Sequence, residues 1–310
     1  MERVLVFANP IAGRGRGRQI ASRLTKALRA RGYEAELFLG RAGSAHVEAC
    51  ERPVRAAIVI GGDGTLRTVA QWAIDHAQAG PGAESCVPYP LLIVPMGTAN
   101  LMGQNLGINW DDQRLEAQVI EALEQGRVVQ RDVARTAGGI FLLVAGVGFD
   151  AWVVHELDRL RTGPIRMTDY VRPAIKAATV YQFPELEVFV DDQRVFGRSP
   201  GLAIIGNVAE YGTGFPILPD ARADDQLLDV CVMPCLTRMD LVRLFLSAAA
   251  GEHLKQEGVV YVKGRRVRIE SPQPVPVQVD GEPAGVTPVE IDLLPGRIGF
   301  IVPPRRKSES

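Results

Sequence analysis

The sequence predicts an α/β first half, built on a doubly wound parallel sheet, followed by a mostly antiparallel β second half. Three observations carry this. Apolar runs of strand length alternate with helical periods over the first hundred residues. Glycine-containing loops follow the first, third and fourth of these runs, and in such a sheet those loops share the carboxyl edge where ligands bind. From about Val128 the chain turns to short strands broken by turns.

Composition sets the bounds. At 310 residues, with 46% apolar and 23% charged side chains, the chain can bury a full core in two domains or one large one. A formal net charge of −1 argues against nucleic acid as a partner, since no broad basic field is available. No apolar run approaches the length of a membrane span, and the first residues read as a strand rather than a signal peptide. Cys50, Cys86, Cys231 and Cys235 form neither a disulfide framework nor a zinc pattern. The expectation is a cytoplasmic protein.

Residues 4–8 form the first strand, closed by Asn9-Pro10. Gly13, Gly15 and Gly17 alternate with Arg14, Arg16 and Arg18 before Ile20, Leu24 and Leu28 mark a helix that ends at Gly32. Asn9 and one or two of these arginines could face phosphate groups. A solvated basic helix start explains any single arginine equally well. Residues 33–39 are the second strand, with a helix near 45–51. Residues 56–60 are the third, and Gly61-Gly62-Asp63-Gly64-Thr65 follow it directly. Leu66, Val69, Ala70 and Ala73 then recur at helical spacing, so a helix begins at about Thr65.

Strand, glycine turn and helix start together present backbone N–H groups to a phosphate. Gly61, Gly62 and Gly64 are expected to take positive φ and let the backbone approach the ligand. Asp63, an anion where an anion would bind, is expected to reach Mg²⁺ or a ligand hydroxyl. The string is neither a P-loop nor a Rossmann fingerprint. Taken alone, it also reads as a structural turn.

After the polar segment 78–88, residues 90–94 form the fourth strand and end in Pro95-Met96-Gly97-Thr98-Ala99-Asn100. A helix over 112–125 carries Leu115, Val119 and Leu123 on one face. The second half shows strands at 140–147, 186–190, 201–207, 227–233, 259–263, 267–270 and 275–279. Helices are expected at 150–160, 167–181 and 239–250, and a frayed tail at 305–310. Two acidic places stand out. The loop 219–229 holds Asp224 and Asp225, which could hold a hard cation, although an acidic turn is the simpler local reading. In Val279-Asp280-Gly281-Glu282 the hairpin turn wins locally, while carboxylates at i and i+2 could also act as base and metal ligand. The four histidines lack ligand spacing, and Trp72, Trp110 and Trp152 read as packing residues.

Six motifs in order resemble the bacterial diacylglycerol/sphingosine-type lipid kinase family over nearly the whole chain. They are Asn9-Pro10 with its glycine loop, Gly61-Gly62-Asp63-Gly64-Thr65, Pro95 through Asn100, Ala145-Gly146-Val147-Gly148-Phe149-Asp150, Pro219-Asp220-Ala221 leading to Asp224-Asp225, and Val279-Asp280-Gly281-Glu282. The resemblance implies a phosphofructokinase/NAD-kinase-like ATP-binding domain over 1–132, to which a last strand near 297–303 returns. It implies a β-sandwich lipid-binding domain over 133–296. ATP would be contacted by Asn9, Leu39, Gly61, Gly62, Asp63, Gly64, Thr65, Leu66, Arg67, Thr68, Gly97 and Thr98.

Asp280 maps to the family's general base, with Asp63 positioning metal or acceptor and Glu282 assisting the catalytic Mg²⁺. An accessory Mg²⁺ would rest on the Asp225 carboxylate and the carbonyls of Arg222 and Leu227. The implied partner is a lipid acceptor at a membrane surface, met transiently by a peripheral protein; a homodimer stays open. Arg67-Thr68 stand where the family commonly has Asn-Glu, Gln226 replaces a Gly, and Leu101 replaces an Asp. A non-catalytic nucleotide- or lipid-binding regulator of the same fold is the main alternative. An NAD-kinase-like small-molecule kinase ranks lower, because the expected Gly-Ser-Thr-Ala-Tyr-type string is absent.

Overall fold

A computed structural model describes residues 1–13, 15–40, 53–78, 87, 89–159, 180–211 and 215–304. The helix expected at 45–51, the one at 167–181 apart from its last two residues, and the tail at 305–310 lie outside the described residues. The chain divides into two units, Met1–Arg131 with Gly296–Ser310, and Asp132–Pro295.

In the first unit β1 (Arg3–Ala8), β2 (Glu34–Leu39), β3 (Val54–Gly61) and β4 (Leu91–Pro95) form a parallel sheet in the order β2-β1-β3-β4. The run 56–60 is apolar throughout because β3 is central and covered on both faces. On one face Ile58 and Ile60 pack with Val4, Val6 and Leu92 against α1 (Gly17–Ala30) and α4 (Leu115–Gln125), through Leu24, Leu28, Val119 and Leu123. Each such fully buried aliphatic side chain stabilises the fold by about 1.5–3 kcal/mol. Phe7 meets Trp72 of α2 (Asp63–Gln78) with ring centroids 5.0 Å apart, so this tryptophan is a packing residue. α2 begins at Asp63, two residues earlier than the apolar period indicated. A one-turn helix, α3 (Leu101–Asn105), follows the β4 loop and carries too short a pattern to read.

The second unit is a sandwich. One layer runs through β8 (Glu185–Val190), β12 (Arg266–Glu270) and the first half of β15 (Val289–Val302). The other has the order β14-β13-β7-β9-β10-β11, with β7 at Val144–Val147, β10 at Leu228–Pro234, β11 at Val260–Gly264, β13 at Pro276–Val279 and β14 at Glu282–Val286. β9 (Gln193–Gly206) serves both, pairing with β8 through its first half and with β7 and β10 through its second. Alternate residues of both layers, including Val188, Val267 and Ile269 from one and Val230, Val277 and Val279 from the other, share one core.

The sequence reading missed β5 (Arg127–Thr136), the first half of β9, all of β14 and the start of β15, and joined β6 (Gly139–Phe141) to β7. These pieces are rich in Gly, Pro and charge and hold their place by ladder pairing. β5 (Arg127–Thr136) leads from the first unit into the second, and β15 returns, its residues from Gly296 lying in the first unit with Phe300 beside Leu91. α5 (Phe149–Arg159) lies against β13 and β14. α6 (Arg238–Ala249) starts with a capping box between Thr237 and Asp240. Among the described residues no helix is long and apolar enough to cross a membrane.

Candidate active site

In the first unit the three glycine loops interlock at the carboxyl edge of the sheet. The Gly13 N–H donates to the Met96 carbonyl (3.0 Å), and the Met96 N–H to the Gly61 carbonyl (2.8 Å). Gly62 and Gly97 touch backbone to backbone, since a Cβ on Gly97 would come 2.6 Å from the Gly62 Cα. None of Gly61, Gly62 and Gly64 takes the left-handed φ expected of them; Gly13 (58°) and Gly15 (89°), in the first loop, do. The glycines after β3 are needed for closeness instead. A Cβ on Gly61 would strike the Thr65 side chain, and Gly64 lies in the first turn of α2.

The side chains named for ATP divide by exposure. Leu39, Gly97 and Thr98 are exposed, Asn9, Thr65 and Arg67 are half-buried, and Leu66 is core. Thr68 is exposed but its hydroxyl donates to the Gly64 carbonyl (2.9 Å), and Asn9 Oδ1 accepts the Ile11 N–H (3.2 Å). Asp63 has protein partners of its own. Its Oδ2 accepts the Leu101 N–H (3.0 Å) and its Oδ1 the Met102 N–H (3.2 Å), so it caps α3. Burial raises its pKa above the usual carboxylate value, and these N–H bonds oppose the rise. Asn100, left-handed at φ 51°, binds both the N–H and the carbonyl of Gly97 through its side-chain amide. Asp63 thus stitches the β3 loop to the segment after β4, while Asn100 closes the β4 loop on itself.

In the second unit Asp280 (φ 48°) and Gly281 (φ 79°) form the two-residue turn between β13 and β14, as the local reading had it. The side chain does more. Asp280 Oδ1 accepts the N–H groups of Leu143 (2.9 Å) and Val144 (3.1 Å), and Oδ2 that of Leu142 (2.9 Å). The carboxylate is therefore fixed in orientation by the backbone that leads into β7. Glu282 opens β14, half-buried and paired across the ladder with Val279.

Gln278, fully buried, accepts the Gly281 N–H through Oε1 (2.9 Å) and donates from Nε2 to Asp150 Oδ2 (3.2 Å). The same Asp150 oxygen accepts the Tyr211 hydroxyl (3.1 Å). Asp150 keeps some exposure as a residue while its Oδ1 is sealed from solvent without a hydrogen-bond partner. Burial pushes its pKa up to about 6 against the bonds it accepts. The buried Tyr181 hydroxyl, also without a hydrogen-bond partner among the described residues, is raised by burial and by Asp150. Gly146 is small because a Cβ there would collide with the Asp150 carboxyl. Sequence reasoning quoted Asp150 in a motif and gave it no role, and it missed Gln278. A single polar residue between valines was the only signal.

In the acidic loop Asp225 Oδ1 accepts the Leu227 N–H (3.1 Å) and Oδ2 pairs with Lys263 Nζ (3.0 Å). Lys263 also reaches the Asp220 carbonyl (2.8 Å) and Asp229 (3.0 Å). Burial presses the lysine pKa down, but the two carboxylates outweigh it and hold it above the usual value. Gln226 adopts φ 61°, the left-handed conformation that its family Gly would supply, and its N–H is taken by the buried Asp132 (2.8 Å). The turn therefore keeps the backbone conformation of the family Gly. The charge of its carboxylate is already shared with Lys263, and among the described residues no three His, Cys, Asp or Glu side chains are grouped to hold a metal, so only the turn itself fits an accessory Mg²⁺. Arg222 is exposed, with its side chain 3.4 Å from Asp224.

Two units of these kinds, an α/β unit with interlocked glycine loops and a β-sandwich with a carboxylate turn, define a family. Residues 3–163 match the diacylglycerol kinase catalytic domain, and residues 143–302 the YegS C-terminal NAD kinase beta sandwich-like domain; the chain belongs to the diacylglycerol kinase family. It is 28% identical over 315 residues to a diacylglycerol kinase of Mycobacterium tuberculosis (strain CDC 1551 / Oshkosh), covering 97% of this chain and 95% of that one. A Staphylococcus carnosus (strain TM300) diacylglycerol kinase is 25% identical over 309 residues, covering 97% and 95%. A crystal structure of a diacylglycerol kinase from Bacillus anthracis str. Sterne superposes with a TM-score of 0.70 at 25% identity, over 98% of each chain.

Proposed function

We propose that this protein is a lipid kinase, which moves the γ-phosphate of ATP to a hydroxyl of a diacylglycerol- or sphingoid-like lipid. The observation that carries the reading is the Asp280 carboxylate, fixed by three backbone N–H groups in a turn whose Gly281 N–H is bonded to Gln278, which in turn bonds Asp150. Phosphoryl transfer asks mainly for positioning and charge neutralisation. On this reading the first unit holds the nucleotide. The bare Gly62 and Gly97 backbones let phosphates approach without a Cβ in the way.

The second unit holds the acceptor. The Asp280 carboxylate takes a hydrogen bond from the acceptor hydroxyl, orients it, and receives its proton as the phosphoryl group arrives. Asp150 Oδ1 and the Tyr181 hydroxyl, both lacking a hydrogen-bond partner among the described residues, suit the polar part of a lipid. Mg²⁺, when bound with the nucleotide, would supply neutralisation of phosphoryl charge; in the first unit Asp63, and in the second Glu282, is the carboxylate that would serve such an ion. Asp225, beside Lys263, with the carbonyls of Arg222 and Leu227, is the place for an accessory ion.

The test is incubation of the protein with γ-labelled ATP, Mg²⁺ and a total lipid extract. A labelled lipid product that requires Mg²⁺ is expected. ATP binding without any labelled lipid would contradict the reading and leave a nucleotide-binding regulator.

A further inference from the structure

α6 presents an apolar surface that the fold leaves open. Met239, Val242, Phe245 and Leu246, with Leu236 just before the helix, are between 50% and 66% exposed. They are five of the eleven large apolar side chains exposed among the described residues, gathered within eleven positions. Leu244, Ser247 and Ala248 turn the opposite side of the helix into the protein. At 100° per residue, positions 239, 242 and 246 form one stripe with 245 beside it.

The polar groups on that open side are Arg238 and Arg243, both exposed. The helix has one acid, Asp240, and it is turned into the N-cap, where Oδ2 accepts the N–H groups of Leu236 and Thr237 and the Thr237 hydroxyl. Arg243 approaches it at only 3.8 Å. The outward face is therefore apolar and cationic.

We propose that this face of α6 docks the protein on an anionic lipid surface. The proposal rests on the lipid-kinase reading, which requires an acceptor that resides in a bilayer, and adds the surface by which that bilayer is met. Two observations favour lipid over a second copy of the chain. Arginines without an exposed acid on the helix complement anionic headgroups, whereas two such faces brought together would place like charges in one interface. The open apolar area is on the order of 500 Å², functional in size for a surface patch but short of the about 800 Å² per partner of a standard protein interface. A helix lying in the headgroup region needs no more than one such face, with its arginine stems extended along it.

The experiment is flotation of the full chain with phosphatidylcholine vesicles, with and without phosphatidylglycerol, in the absence of ATP. Wild type is expected to float with the anionic vesicles. Met239→Glu/Leu246→Glu, at exposed positions, should keep the wild-type melting temperature and bind at least tenfold more weakly. Arg243→Gln should lose about fivefold on anionic vesicles and nothing on neutral ones. Phosphate transfer to a short-chain acceptor dissolved as monomer should be unchanged in all three proteins. Failure of wild type to float, or equal binding by the double variant, would overturn the proposal. So would a dimer in sedimentation velocity that the double variant abolishes, since the face would then belong to a second copy. Because flotation needs no turnover, an inactive protein that still floats through α6 would defeat the kinase reading alone.

Discussion

Leu142, Leu143 and Val144 each give their N–H to Asp280, and these bonds tie a turn to the strand that precedes α5. Asparagine could keep the two bonds at Oδ1, but its Nδ2 would then face the Leu142 N–H, donor against donor. A residue that reads locally as an interchangeable turn position is thus a carboxylate by requirement. Asp150 makes a different case, a carboxyl that burial makes harder to ionise. Its pKa rises from 3.8 to about 6, so between about pH 4 and 6 the folded chain binds a proton that the unfolded chain has released. Stability therefore falls as pH rises through that window, by about 3 kcal/mol in all, and stays lowered above it. Asp150→Asn keeps an acceptor for Tyr211 and removes the titration. Thermal melts of the variant should lose this slope between pH 4 and 6 and lie above wild type at pH 7; an unchanged slope would assign it to another group.

At the scale of elements, the α/β alternation was legible because each strand is a continuous apolar run and each helix a clean period. The convergence of three glycine loops followed from topology alone. What they do there was not legible. Positive φ was expected after β3 and occurs in the first loop; Gly61 still belongs to β3 and Gly64 already to α2. Their role is contact, which depends on Gly97, 35 positions after Gly62. Gly97→Ala would press a Cβ onto the Gly62 Cα and part the two loops. ATP affinity measured by calorimetry should drop at least tenfold while the melting temperature moves by a few degrees; unchanged affinity would remove this junction from the nucleotide site. The acidic loop shows a different limit. Gln226 stands where the family has Gly and takes the left-handed φ of 61°, and a buried Asp132, 94 positions earlier, captures its N–H and holds the turn.

For the whole molecule, motif order along the sequence was enough to identify the family, and the change of character near Val128 marked the passage into the sandwich. Strand returns were harder to see. β14 and the start of β15 depend on partners rather than on their own pattern, and β9 is one strand shared by two layers. In the proposed function the first unit binds ATP and Asp280 of the second unit takes the proton of the acceptor. The most direct measurement is a pair of numbers on Asp280→Asn, ATP affinity and single-turnover transfer to lipid, taken well below its melting temperature. That midpoint should itself drop, since one buried N–H loses its acceptor at a cost of about 1–3 kcal/mol. Wild-type ATP affinity is expected, with transfer slowed by roughly 10²–10⁴-fold. Near-normal transfer by the folded variant would contradict it.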